Sequence, residues 1–193
     1  MLKKLNLGSG SKPFENYVNV DVLDRYNPDI CWDLNTTPYV WAPSNHFEVI
    51  TANHVLEHLD PDPKKYLATI TELYRISKAG AIWHIMFPHH ASDDFINDPT
   101  HTRAITPEQF YLFDQAYNLR CRKKNTSIST LGLDLNIDLE VTKATYHMNK
   151  KIADFEFTDK QLEALKLFGR NMVTDVEIFM TIHKPCRVSD ANA

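Results

Sequence analysis

No stretch of this sequence has the length and apolar purity of a membrane span, and no two of its three cysteines sit at Cys-x-x-Cys spacing. The first absence argues for a soluble protein without a membrane partner. The second argues against a structural zinc site or a disulfide framework, so Cys31, Cys121 and Cys186 read as reduced thiols. The opening Met1-Leu2-Lys3-Lys4-Leu5 turns polar at once and lacks the apolar core of a signal peptide, so a cytoplasmic location is expected. Excess positive charge is also missing. A net charge of -4 gives no general attraction to phosphate backbones, no nucleic-acid partner is expected, and the basic run Arg120 to Lys124 reads as a solvated loop. Internal repeats, low-complexity segments and dividing linkers are absent too. With 43% hydrophobic and 24% charged residues, the 193-residue chain fits one domain, expected over 1–187 with a frayed tail at 188–193.

Periodicity supplies the elements. Leu2 to Leu7 and Tyr17 to Asp21 are short apolar segments suited to buried parallel strands. The interval Gly8 to Asn16 contains Pro13 and is too short for a crossover helix, so the first helix is expected to be abbreviated. Phe47 to Ala52 is a further strand. Pro63 to Ser77 carries Tyr66, Leu67, Ile70, Leu73 and Tyr74 at three and four spacing and is the best helix, ending before Lys78-Ala79-Gly80. Ala81 to Phe87 then reads as a strand reached by a right-handed parallel crossover. The stretch 88–106 loses periodicity and is expected to be a functional loop. Thr106, Pro107 and Gln109 predict a capping box opening a helix to about Tyr117. Ile137 to Met148 and Asp175 to His183 are expected as an antiparallel strand pair at the sheet edge, flanking a helix over Asp159 to Gly169.

The first strand ends in Leu5-Asn6-Leu7-Gly8-Ser9-Gly10, a turn whose glycines let a ligand approach the backbone at the carboxyl end of the strand. The dinucleotide fingerprint needs a third glycine where Pro13 stands, which removes most support for a nicotinamide or flavin site. Asp21 closes the second strand, about where a carboxylate holds the two hydroxyls of a ribose. Together these describe an adenosine site.

From about residue 3 to 110 the chain resembles the class I S-adenosylmethionine-dependent methyltransferases, in particular the small type 11 group. Its most specific segment is Phe47 to Leu59, similar to the family's Asp-x-Val-x-x-x-x-x-Leu-Glu-His pattern with Glu48 in place of Asp. Ile76 to Ala81 is similar to the turn before the family's fifth strand. The resemblance implies an α/β, doubly wound, mostly parallel Rossmann-like sheet, and S-adenosylmethionine as cofactor. It implies that Asn6, Gly8, Ser9 and Gly10 face the amino-acid part of that cofactor. Asp21 falls at the ribose, Asp33 and Leu34 of Trp32-Asp33-Leu34-Asn35 at the adenine, and Val22, Asn53 and His54 are further cofactor-binding candidates. Lys12 stands where it could offset the missing first helix dipole.

For acceptor chemistry the sequence offers His54, His58, His89, His101 and Arg103, with His101 the first choice of general base. The Asp98-Pro99-Thr100-His101-Thr102-Arg103 stretch resembles one seen in some sugar and polysaccharide methyltransferases, which implies a small hydroxylated, carbohydrate-like acceptor. His58 could equally cap a helix start, and His101 and Arg103 could only stabilise their loop. Glu57 and His58 could also contribute to a divalent metal site, as similar residues do in some quinone-pathway methyltransferases. Their spacing shows too few ligands, and no metal ligand is assigned. His84 reads as a satisfied core histidine, and His147 and His183 as edge-strand residues without a role. The rival reading is a non-catalytic S-adenosylmethionine-binding partner of another methyltransferase, against which the dense polar loop speaks. A nucleic-acid methyltransferase would carry an Asn-Pro-Pro-Tyr type motif where this chain has Asn53-His54-Val55-Leu56.

Overall fold

A computed structural model of the chain describes residues 2–152 and 155–188, so all but Val188 of the expected tail lies outside the described residues. Among the described residues seven strands form one sheet: β1 (Lys4–Leu7), β2 (Val18–Asp21), β3 (Ile30–Cys31), β4 (Phe47–Asn53), β5 (Ser77–Pro88), β6 (Leu139–Met148) and β7 (Val173–Ile182). Their spatial order is β3-β2-β1-β4-β5-β7-β6, with β1 to β5 parallel. β7 is antiparallel to both β5 and β6. The two C-terminal strands therefore pair antiparallel as expected, but β7 lies inside the sheet and only β6 forms the edge. There Val176, Ile178, Met180 and Ile182 are buried, and the strand has backbone hydrogen-bond partners on both sides.

Register assigns the two faces. Leu5, Ile50, Trp83 and Met180 lie in one cross-strand row and are fully buried, joining a core that also takes Ile70, Leu73 and Ile76 from helix α1 (Pro63–Ile76). The next row, Asn6, Thr51, His84 and Phe179, points to the other face. There His84 is half-exposed, stacks on Phe179 at 4.4 Å and bonds Glu177 at 2.6 Å. It is thus satisfied, but on a sheet face and not in the core. His147 lies on edge strand β6 as expected, whereas His183 follows the interior strand β7 and bonds Glu140 at 2.7 Å.

α1 starts as the sequence dictates, with Asp62 accepting from the Lys64 amide and Pro63 in the first turn. Its end differs from expectation. Ser77 caps the helix by donating its hydroxyl to the Leu73 carbonyl and is already the first residue of β5, so no separate turn intervenes. The first crossover has no helix, and the shortening goes further: a single 3-10 turn at Asp24–Tyr26 joins β2 to β3, and 32–46 holds no helix.

The 88–106 loop contains one short helix, α2 (Asp93–Asn97). The helix expected from Thr106 to Tyr117 is two helices, α3 (Pro107–Tyr111) and α4 (Gln115–Lys123), and the expected capping box does not form. Thr106 makes no side-chain cap, and the Gln109 side chain donates from Nε2 to the Ala104 carbonyl instead. The break is tertiary: the carbonyls of Leu112 and Phe113 accept from the amides of Gly132 and Leu139, and Asp114 caps α4. Most of the basic run lies on the last turn of α4, with Cys121 buried, and is not a loop. α5 (Leu131–Asp134) has four residues, too few for a periodic signal. α6 (Asp159–Phe168) opens with a true capping box of Thr158 and Gln161.

Candidate cofactor and acceptor site

The glycine turn after β1 follows from its backbone. Gly8 and Gly10 both adopt positive φ, +61° and +50°, which L side chains rarely tolerate. A Cβ on Gly8 would also stand 2.5 Å from Cγ2 of Val55. Gly8→Ala is therefore expected to lose about 2 kcal/mol of stability through left-handed strain and overpacking. Adding Val55→Ala should return only the steric share. Thermal melts of the single and double variants check this, and an unshifted Tm for Gly8→Ala would refute it.

Asp21, 8% exposed at the end of β2, ties the turn in place. One carboxylate oxygen accepts from the Gly10 amide at 2.8 Å, and the other from the Leu23 amide at 2.8 Å. Each oxygen has a second lone pair for a ligand. These groups border a cavity of about 780 Å³ at the carboxyl ends of β1, β2 and β4, where open α/β sheets bind ligands at the reversal of strand order. Gly8, Asp21, Val22, Asp33, Leu34, His54 and His58 all line it. Asp33 is braced by the Asn35 amide and side chain.

Other expected residues stand elsewhere. Asn6 donates to the Asn19 side chain at 3.0 Å and supports the glycine loop from the far side, because Asn19 also accepts from the Phe14 amide. Ser9 is buried, Asn53 half-buried, and neither they nor Gly10 line the cavity. His89 lines a separate cavity of about 40 Å³, where burial and then the neighbouring His90 lower its basicity. Arg103 lies 4.3 Å over the Tyr66 ring and donates to the Pro61 carbonyl, clamping its loop to the start of α1. The cavity also has Arg25, Tyr26, Trp32, Asn35, Asp98 and Thr100 on its wall. Arg25 and Tyr26 give no sequence signal, since they follow a strand of only four residues in an irregular turn.

The turn that follows β4 is held by Thr102, whose amide donates to the Glu57 carbonyl at 2.8 Å and whose hydroxyl reaches the carbonyls of Glu57 and Leu59. This draws the 98–102 loop over the turn that follows β4. His54, at positive φ, lies 3.5 Å from both Glu57 and Asp175, distances of electrostatic contact and not of short hydrogen bonds. The Glu57 carboxylate raises the His54 imidazole above its ordinary value against the opposing effect of burial, and Asp175 and Asp94 add to it. His101 is nearly buried, donates Nδ1–H to the Phe95 carbonyl at 2.7 Å and meets the His58 ring at 4.6 Å.

No protein-family model matches the chain, and no curated protein does. Solved structures match along nearly its whole length. An Archaeoglobus fulgidus SAM-dependent methyltransferase is 16% identical with a TM-score of 0.60, over 92% of this chain and 85% of its own. A Burkholderia thailandensis 1,6-didemethyltoxoflavin-N1-methyltransferase, holding its acceptor and S-adenosylhomocysteine, is 8% identical with a TM-score of 0.52, over 94% and 71%. A Thermotoga maritima SAM-dependent methyltransferase, possibly acting on histamine, is 13% identical with a TM-score of 0.51, over 93% and 81%. The chain has the Rossmann-like fold of the class I methyltransferases. Identities this low speak for the fold alone.

Proposed function

We propose that this chain binds S-adenosylmethionine in the 780 Å³ cavity and transfers its methyl group to a small hydroxylated, sugar-like acceptor, releasing S-adenosylhomocysteine. The observation that carries the reading is Asp21: a buried carboxylate with one lone pair left on each oxygen, beside the Gly8 turn at the ligand-binding edge of this sheet. The cavity is of the size that small-molecule and cofactor sites occupy. When bound, the cofactor supplies a methyl group already activated by a sulfonium, which leaves alignment of the acceptor and removal of its proton to the protein.

The residues divide that work. Gly8, with no side chain, opens the floor of the cavity to the amino-acid portion, while Ser9 and Gly10 hold the turn. Asp21 accepts from the ribose hydroxyls and Asp33 from the adenine amine, with Leu34 and Val22 as apolar surfaces at the base. On the acceptor side His54, His58, Asp98 and Thr100 present polar groups suited to hydroxyls. We assign the acceptor proton to His54, which lines the cavity between two carboxylates, in preference to the nearly buried His101. A cytoplasmic, single-domain protein over 1–187 with no nucleic-acid partner belongs to the same reading.

Calorimetric titration tests it. Micromolar binding, about -8 kcal/mol, is expected for S-adenosylmethionine and S-adenosylhomocysteine, and none for NAD. Absence of both would sink the proposal. Binding without turnover across a panel of sugars and other hydroxylated acceptors would favour a non-catalytic partner.

A further inference from the structure

Glu57 is 0% exposed, and both of its carboxylate oxygens lack a hydrogen-bond partner among the described residues. An unpaired buried carboxylate is costly, and the His54 contact at 3.5 Å compensates it only in part. One donor atom each from Glu57, His58 and His101 lies within 4.8 Å of the others.

The hydrogen bonds around the two imidazoles fix what they offer. Thr100 has one hydroxyl proton, which goes to Asp98 at 2.6 Å, so the 2.9 Å contact between Thr100 and Nδ1 of His58 must be donated by the histidine. Nδ1 of His101 faces the Phe95 carbonyl, which can only accept. Both neutral rings therefore keep the lone pair on Nε2. An outer acceptor that fixes the tautomer is how metal-binding histidines are oriented; here it is the Phe95 carbonyl for His101 and, for His58, the Thr100 hydroxyl backed by the Asp98 carboxylate. Asp98 lies 3.9 Å from Nε2 of His101 and stays outside the set of three.

We propose that Glu57, His58 and His101 bind a divalent first-row transition metal ion. Two imidazoles and one carboxylate suit Zn²⁺, Fe²⁺, Co²⁺ or Mn²⁺, whereas Mg²⁺ and Ca²⁺ favour oxygen-only sites. Three protein ligands leave positions open. Of the three, His58 lines the cavity, and on that side a bound ion would offer an open position to an oxygen of the hydroxylated acceptor, a role that rests on the proposed methyl transfer. Sequence spacing alone shows only two of these ligands. The third arrives because Thr102 stitches the 98–102 loop onto the Glu57 turn.

The test uses the full chain, stripped with a chelator and titrated with Zn²⁺ by calorimetry and with Co²⁺ by visible absorption. Wild type should bind one ion per chain and develop Co²⁺ ligand-field bands. Glu57→Gln and His101→Ala should each weaken binding at least 100-fold, while His84→Ala, on the other sheet face, should not. Far-UV circular dichroism checks the folding of each variant. Glu57→Gln keeps the side-chain shape, so the test survives if His101→Ala unfolds. No binding by wild type, or binding indifferent to Glu57→Gln, overturns the metal site. Titration of the stripped protein with S-adenosylhomocysteine separates the two proposals: retained binding leaves the methyltransferase reading standing when the metal fails, and lost binding with an intact metal site does the reverse.

Discussion

Asp21→Ala is expected to weaken S-adenosylhomocysteine binding more than 100-fold, a loss of about 3 kcal/mol or more. Hydrogen bonds to a charged acceptor contribute about 1.5–3 kcal/mol each, and the proposed ribose contact has two. The substitution also frees the Gly10 and Leu23 amides, which Asp21 holds at 2.8 Å each, and so loosens both turns at the cavity mouth. The core rows of β1, β4 and β5 do not depend on this carboxylate, so the far-UV spectrum should be unchanged. Asp21→Asn sorts the contributions. It keeps one acceptor oxygen and most of the shape, and its affinity should fall between wild type and Asp21→Ala. Calorimetry on the three proteins reads the series, and an unchanged affinity in Asp21→Ala would remove the ribose assignment.

Arg187→Ala is expected to cost about 3–5 kcal/mol of stability, lowering Tm by roughly 6–20 °C. Arg187 joins the end of the chain to the body of the fold. It donates from its amide and guanidinium to Asp138, which is 0% exposed, and reaches Asp114 at 2.8 Å and Glu140 at 3.1 Å. Burial pushes the Asp138 carboxyl upward, but hydrogen bonds from Arg187 and the Gln115 amide outweigh it and hold the carboxyl below its ordinary value. A depressed carboxyl stabilises the fold above its unfolded value, about 3.9, and that stability is lost as pH falls through the folded value. Without the guanidinium the sign reverses, because a buried charge with weakened compensation favours protonation. The Tm gap between wild type and Arg187→Ala should therefore be full at pH 7 and narrow toward pH 3. Adding Asp138→Asn to Arg187→Ala should recover part of the loss. Equal melting temperatures at pH 7 would show that the cluster contributes nothing.

The parts of this protein that sequence determined by itself are those set by local backbone and short-range periodicity. The turn at Gly8 and Gly10 is legible because both glycines take positive φ, and at Gly8 a close approach to Val55 excludes a side chain as well. The carboxylate Asp21 is legible because it ends a short apolar strand, and α1 because Pro63 stands in its first turn while Tyr66, Ile70, Leu73 and Tyr74 bury one face. The absent first helix follows from chain length between two strands. Tertiary structure decided the rest. β7 enters between β5 and β6 because its alternate apolar residues need cover that the strand order alone supplies, which no local pattern encodes. The helix after Thr106 breaks because Gly132 and Leu139, distant in sequence, take the carbonyls at 112 and 113. Glu57, His58 and His101 converge for the same physical reason. Hydrogen bonds from Thr102 to the Glu57 turn bring two separate loops together, and contact between residues far apart in the chain is a property of the folded backbone, not of spacing.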